Sequence, residues 1–456
     1  MVAATLDRWM AERMGLGTPS ASGGEAAERR VLTHTALEAW QLAELRATIA
    51  YARAASPFYR ARHDWPDIEI RGLEDVARLP FTRPADLLRN DPPFLALSQG
   101  AVARVVTLAT SGTSGPAKRL HFTAEDQEAT IDFFHHGMAL FARPGDRVAI
   151  AFAGERPGGV GDGLATAVRR LGATPLLTPL APGPAEFAER LRAAKPDVVA
   201  GPPVPLLAAA RVSASDGGAP IAIRAALLSS DHVAKSLSRA IAKAWGVEVF
   251  EHWGMTETGY GGAVDCAFHC GCHLRESELY VEVVDPVTGA RQPPGALGEV
   301  VVTTLRRRSV PLLRYRTGDL ARLIDAPCAC GSALRRLADF SGRIGAEAPL
   351  PGGGALTLPR LDEALFAIEA IADFSATVED GAPMVLALRV ATASPARAPA
   401  VAAAVRSRLA ADPVVGPALA SGALRLDVEL ADGAARLHDG KRRLHMSGAA
   451  ACARCC

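Results

Sequence analysis

Lysine is nearly missing from this chain. Of 456 residues 50 are basic, yet only five are lysines, at positions 118, 195, 235, 243 and 441. Arginine is the default cation, so a lysine inside a motif carries information, because a compact ammonium does work that a guanidinium fork does not copy. An excess of one charge is missing too: 49 acidic residues stand against the 50 basic ones, for a formal net charge of +1. No basic stripe alternates with aromatic side chains, which argues against a nucleic-acid partner. There is no run of about 18 apolar residues that could span a bilayer. The opening MVAATLDRWMAERMG carries acids and arginines where a secretory signal needs an unbroken apolar stretch. The expectation is a cytoplasmic protein with no membrane partner.

Dispersed cysteines are also absent. Five of the eight form two tight groups, Cys266, Cys270 and Cys272, then Cys328 and Cys330; the other three sit in the terminal CARCC, read as a disordered tail. In a reduced compartment such clustering favours metal ligation over disulfides. Finally, no P-loop is present. The stretch VVTLATSGTSGPAKRLHF at 105–122 has the glycines and the lysine, but Lys118 is followed by Arg119, and KRLHFT alternates like a strand instead of opening a helix. A hydroxyl- and glycine-rich turn between two strands offers backbone N–H groups and the hydroxyls of Thr110, Ser111, Thr113 and Ser114 to an anion, with Lys118 as a point charge.

What is present describes a soluble globular chain, 49% hydrophobic and 22% charged, and long enough for two or more domains. Residues 26–56 read as a helix, with short helices over 73–90. Thr123 and Asp126 fit a capping box opening a helix through DQEATIDFFHHGMALF. From there, the short apolar runs RVAIAFA, ATPLLTPL, PDVVAGPP, AALLSS and VEVFEHWG alternate with helical stretches, the pattern of an α/β sheet with helical crossovers. From about 278 antiparallel strands joined by turns such as DPVTG take over. After a boundary near FSGRIG comes a small α+β unit.

The glycine loop, HWGMTE at 252–257 and YRTGD at 315–319 resemble the signature motifs of the adenylate-forming superfamily of acyl-CoA synthetases. SPFYR, LPFT, GMTET, a CxxxxGxH run, DPVTG, LRYRTGDLARL and CACGS narrow the resemblance to the phenylacetate-CoA ligase branch, most clearly over about residues 26–345. The resemblance implies the adenylate-forming enzyme fold: a large, multi-layer α/β domain with an antiparallel β subdomain at 1–343, and a small, mobile α+β domain at 344–456. It implies an ATP site in which Thr110, Ser111, Gly112, Thr113, Ser114, Gly115 and Lys118 hold phosphate and Trp253 stacks on adenine beside Gly254. Thr256 touches the α-phosphate, Glu257 holds Mg²⁺ and Asp319 accepts the ribose hydroxyls. Ser230-Asp231 stands in the place of the adenine loop, without the family's glycine pair. Arg343, counted with the ATP-site residues, ends the large domain, and Gly345 and Ala346 follow where the superfamily commonly has acidic residues. Most of the branch has tyrosine at the position of Trp253. Lys441, in HDGKRRL, resembles the lysine that swings in to neutralise charge as a carboxylate attacks the α-phosphorus; the other reading of KRR is a solvated basic turn.

Cys266, His273, Cys328 and Cys330 make a Cys₃His set, enough for a closed tetrahedral structural zinc site; His269, Cys270 and Cys272 stand as substitutes. Related enzymes vary in keeping these ligands. The expected function is an ATP-dependent acid:CoA ligase forming an acyl-adenylate and then a thioester. Its partners are a small-molecule carboxylic acid, ATP and CoA, and a homodimer is left open. Phe133, Phe134 and the GGVGDGL run at 158–164 fit an aryl or other apolar acid and fit core packing equally. The rival readings are an adenylating enzyme with an amine or carrier-thiol acceptor, and a nucleotide-binding regulatory homologue without turnover, the latter motivated by the altered hinge.

Overall fold

The computed structural model describes residues 4–15, 32–108, 117–154, 157–180, 182–394, 398–431 and 441–447. They fall into two compact units: residues 1–141, 156–171 and 252–340 form one, and residues 142–155, 172–251 and 341–456 the other.

The first unit is built around antiparallel strands. Leu279–Val284 pairs with Leu297–Thr304, which pairs with Tyr315–Ile324; Arg336–Arg343 pairs with Cys272–Leu274, which pairs with Ala263–Val264. Val281, Val283, Val300, Val302, Leu312 and Tyr315 meet in its core with residues of the long helix His34–Ala55. The DPVTG turn forms as an Asx turn, with Asp285 Oδ1 accepting from the N–H groups of Val287 and Thr288 at 3.0 and 2.7 Å. Helix Ala124–Met138 opens on the expected capping box: Thr123 Oγ1 accepts from the Asp126 N–H at 3.1 Å, and Asp126 Oδ2 accepts from the Thr123 N–H at 2.9 Å.

Ahead of that helix, strands Arg104–Leu108 and Lys118–Phe122 form an antiparallel hairpin whose register sets Leu108 opposite Lys118. The chain between them, which contains Thr110 through Gly115, lies outside the described residues. Helix Ala4–Arg13 belongs to this unit as well. Its Asp7 carboxylate accepts from the Ser332 hydroxyl at 2.5 Å and the Ala333 N–H at 2.9 Å.

The second unit has a parallel sheet ordered Thr174–Leu177, Arg147–Ile150, Val198–Gly201, Ala225–Leu228 and Glu248–Trp253. Val198–Gly201 and Ala225–Leu228 are buried at every residue, as parallel strands covered on both faces are. Gly201 is needed there, since a Cβ would sit 2.8 Å from that of Ala151. Helix Lys235–Trp245 stops at Gly246, left-handed with φ 67°. Residues 341–456 add the hairpin Glu347–Pro349/Ala355–Thr357, helix Leu358–Leu365 and a four-stranded sheet ordered Leu424–Leu430, Met384–Thr392, Ile371–Glu379 and Leu444–Ser447. One core runs through this unit, from Val199, Leu206 and Leu237 to Leu361, Phe374 and Leu386.

Candidate active site

The first unit gathers three side chains from three different elements. Lys118 begins the second strand of the hairpin, Glu257 lies in the 3₁₀ turn Thr256–Thr258 and Tyr315 opens strand Tyr315–Ile324. Lys118 Nζ donates to Glu257 Oε1 at 2.5 Å and to the Tyr315 hydroxyl at 3.1 Å, and that hydroxyl donates to the same Glu257 oxygen at 2.9 Å. Arg307 adds a bond to the Glu257 backbone carbonyl from below, its guanidinium lying 4.7 Å from the centre of the Phe122 ring. Glu257 is only 4% exposed. Burial works against its charge, yet the Lys118 ammonium beside it holds the carboxyl below the ordinary glutamate range. The arrangement is an ionised, buried carboxylate whose position is set by a cation and a phenol.

Next to it, Trp253 ends strand Glu248–Trp253 and donates its indole N–H to Asp319 Oδ2 at 3.0 Å. The indole ring lies nearly parallel to Phe340, with centroids 6.3 Å apart. Asp319 is held in turn, since its N–H donates to Thr317 Oγ1 at 3.0 Å. Gly254 admits no side chain: a Cβ would lie 2.3 Å from the Tyr260 carbonyl oxygen. Thr256 follows at the start of the 3₁₀ turn, which Thr258 caps by accepting from the Met255 N–H at 3.1 Å. Thus Lys118, Trp253, Gly254, Thr256, Glu257 and Asp319 are brought together. Phe133 is enclosed by Trp9, His252 and the guanidinium of Arg275, and Phe134 is buried near His252, which is core packing.

Ser230, Asp231, Arg343 and Lys441 belong to the second unit. Ser230 is left-handed at φ 78°, and Asp231 Oδ2 accepts from the Arg442 N–H at 3.2 Å. Arg343 and Lys441 are both exposed.

The cysteine set also assembles. The ligand atoms of Cys266, His273, Cys328 and Cys330 all lie within 4.8 Å of one another. The Cys266 and Cys328 sulfurs are 3.8 Å apart, and Cys330 Sγ is 3.3 Å from His273 Nε2. A tetrahedral zinc with bonds of about 2.3 Å to sulfur and 2.0–2.1 Å to nitrogen needs donor separations of this size. His273 Nδ1 faces the Leu334 carbonyl at 3.3 Å, a contact that orients the ring and leaves Nε2 as a donor to a metal. Burial pulls the His273 imidazole down to about 4, so the ring is neutral, as a ligand must be. Cys270 is exposed, with its thiol on the Phe268 carbonyl, and His269 pairs with Asp265; neither belongs to the set, and nor does buried Cys272.

The pattern of AMP-binding enzymes matches residues 105–305. The phenylacetate-coenzyme A ligase of Thermus thermophilus is 32% identical over 328 residues, covering 69% of this chain and 72% of that protein. That of Pseudomonas putida is 32% identical over 320 residues, covering 68% and 71%. The chain belongs to the phenylacetate-coenzyme A ligase family of AMP-binding enzymes. Among solved structures, a 2-hydroxyisobutyryl-CoA ligase in the postadenylation state, in complex with 2-HIB-AMP, superposes with a TM-score of 0.75 at 24% identity, over 90% of this chain and 89% of that one. The fold is therefore the mixed α/β fold of adenylate-forming CoA ligases.

Two members of the site were not singled out from sequence. Tyr315 opens the YRTGD motif, where a ring at a strand start reads as core; it is core, but its hydroxyl also reaches Glu257 and its ring lies 5.7 Å from the Lys118 ammonium. Arg307 is the middle residue of RRR at 306–308 and reads as surface charge, but it is 8% exposed.

Proposed function

We infer that this chain is an AMP-forming acid:CoA ligase: it joins a carboxylic acid to the α-phosphorus of ATP, releases pyrophosphate, and passes the acyl group to the thiol of CoA. Its relatives named phenylacetate-CoA ligases favour an aryl or other apolar acid. The observation that carries the reading is the ionised Glu257 held by Lys118 and Tyr315 beside the Trp253–Asp319 pair. The reading takes Glu257 as an oxygen ligand, Lys118 as a phosphate-seeking cation, Trp253 as a flat ring and Asp319 as a ribose acceptor, and the contacts of Lys118 and Tyr315 with Glu257 and of Trp253 with Asp319 support it.

In this reading Glu257 is a ligand for Mg²⁺, a hard cation that takes oxygen donors and neutralises phosphate charge. Lys118 and the loop Thr110–Gly115 hold the phosphates. Thr256 touches the α-phosphate, Trp253 and Gly254 line the adenine, and Asp319 accepts from the ribose. Lys441 supplies charge at the attacked phosphorus during adenylation. Residues 1–343 form the body, and 344–456, beginning just past Arg343, the moving part. Zinc in the Cys266, His273, Cys328 and Cys330 set is structural, since four protein ligands leave no open position.

The test is pyrophosphate exchange into ATP with a panel of acids, followed by product mass with CoA or with amines present. Exchange with an arylacetic acid and a thioester product are expected. No exchange with any acid would make the chain a nucleotide binder, and an amide product would make the acceptor an amine.

A further inference from the structure

Three consecutive cations, Lys441, Arg442 and Arg443, precede strand Leu444–Ser447, and they do not behave alike. Lys441 and Arg443 are exposed, whereas the Arg442 side chain is 4% exposed. Its guanidinium donates to Asp362 Oδ1 at 2.5 Å and to the Phe374 carbonyl at 3.2 Å, and its Nε lies 3.8 Å from Asp373 Oδ1. The rings of Phe366 and Phe374 flank it at 5.1 and 4.4 Å. A solvated basic turn has no use for such a seat, because taking a guanidinium out of water is unfavourable unless it is paired and hydrogen-bonded; here both terminal nitrogens are bonded, while Nε lies near Asp373 without a hydrogen bond. The backbone is caught as well: the Arg442 N–H donates to Asp231 Oδ2, while Asp231 Oδ1 accepts from the His232 N–H at 2.9 Å. Among the described residues Lys441 makes no side-chain hydrogen bond or ion pair, and a charge acting at a transition state must be held within about half an ångström by its neighbours.

We propose that Arg442 and Asp231 are positioning residues for adenylation: Arg442 anchors the strand entry so that Lys441 stands out from it, and the Asp231 carboxylate clasps the Arg442 amide, joining the Ser230–His232 turn to the lysine segment. The inference rests on the reading of Lys441 as the adenylation cation. It gives the Asp231 carboxylate a task toward the chain itself, not toward the nucleotide.

The experiment compares Lys441→Ala, Arg442→Lys, Asp231→Ala and the doubles that combine the latter two with Lys441→Ala. Each is assayed for phenylacetate-dependent pyrophosphate exchange and for thioester formation from preformed phenylacetyl-adenylate and CoA. Lys441→Ala is expected to slow exchange by about 10²-fold, the scale lost with one oriented charge. Arg442→Lys and Asp231→Ala should each slow it by roughly 10-fold in kcat, with the KM for ATP and the thioester step unchanged, since misplacing a catalytic group by about an ångström already reduces rate strongly. The doubles should be no slower than Lys441→Ala alone, because a residue acting only through the lysine has nothing left to position. Equal losses in both half-reactions, or losses that multiply with Lys441→Ala, would overturn the proposal and make the pair structural. A raised KM for ATP in Asp231→Ala with kcat intact would overturn it for Asp231 and make it a nucleotide ligand. If Arg442→Lys does not fold, half-buried Asp231 carries the test alone. Unimpaired exchange in the Lys441→Ala single variant would defeat the underlying reading of the lysine, a result separable from failure of the anchors.

Discussion

A single oxygen, Glu257 Oε1, takes both the Lys118 ammonium and the Tyr315 hydroxyl. Tyr315→Phe keeps the ring and removes one donor to a buried charge, a loss of about 1.5–3 kcal/mol for a bond of that kind. We expect adenylation to slow roughly 10-fold with a higher Mg²⁺ requirement; an unchanged Mg²⁺ titration would remove Tyr315 from the site. The same contact predicts a pH signature. Burial opposes the Glu257 charge, but Lys118 depresses its folded pKa, so the stabilisation is complete above the ordinary glutamate range and is lost as pH falls through the folded value. In Lys118→Met only the Tyr315 and backbone hydrogen bonds are left to oppose burial, so the folded pKa should rise and the loss of stability on acidification should shrink, read as the urea midpoint against pH. Wild type is the control, and parallel pH profiles would mean that the lysine does not set the charge. The scarcity of lysine made Lys118 legible in the sequence. The Trp253–Asp319 bond was not, because each residue belongs to its own motif and nothing local links partners 66 positions apart.

At the scale of elements, the Cys₃His set brings the turn carrying Cys328 and Cys330 against the segment from Cys266 to His273, beside the pairing of Arg336 with His273 and Leu337 with Cys272. Loss of a structural metal removes folding free energy directly. One zinc per chain is expected in protein purified without a histidine tag, and Cys328→Ser should lose it together with roughly 5–10 °C of Tm, the shift a few kcal/mol produces. Cys270→Ser, exposed and outside the set, should keep both; metal-free wild-type protein would end the zinc reading. The cluster was legible because cysteines two residues apart are a local pattern, as were the hairpin around the glycine loop and the alternation of strand and helix. Helix Ala4–Arg13 was not. Its anchorage is a carboxylate at position 7 reaching residues 332 and 333, and no periodicity within the helix announces that.

For the molecule as a whole, the sequence marks a boundary near FSGRIG, while the second compact unit combines residues 142–155, 172–251 and 341–456. What sequence does not reveal is that residues 341–456 share a core with 142–155 and 172–251, since that packing joins residues far apart in the chain. Arg211, on helix Pro203–Ser213, is one such link: 7% exposed, it donates to the carbonyls of Phe366 and Ile371, and burial brings its pKa down to about 10. If 344–456 moves as proposed, Arg211 must leave those carbonyls. The turn where motion would begin contains Gly345, left-handed at φ 75° with open space around a would-be Cβ. Arg211→Met removes the charged donors while keeping much of the apolar stem, so the segment should dock less firmly. Trypsin should then cut after exposed Arg343 several-fold faster than in wild type, and the balance of the two half-reactions should shift. An unchanged cleavage rate in a folded variant would mean that the shared core, and not Arg211, holds the segment, and that its release requires opening that core.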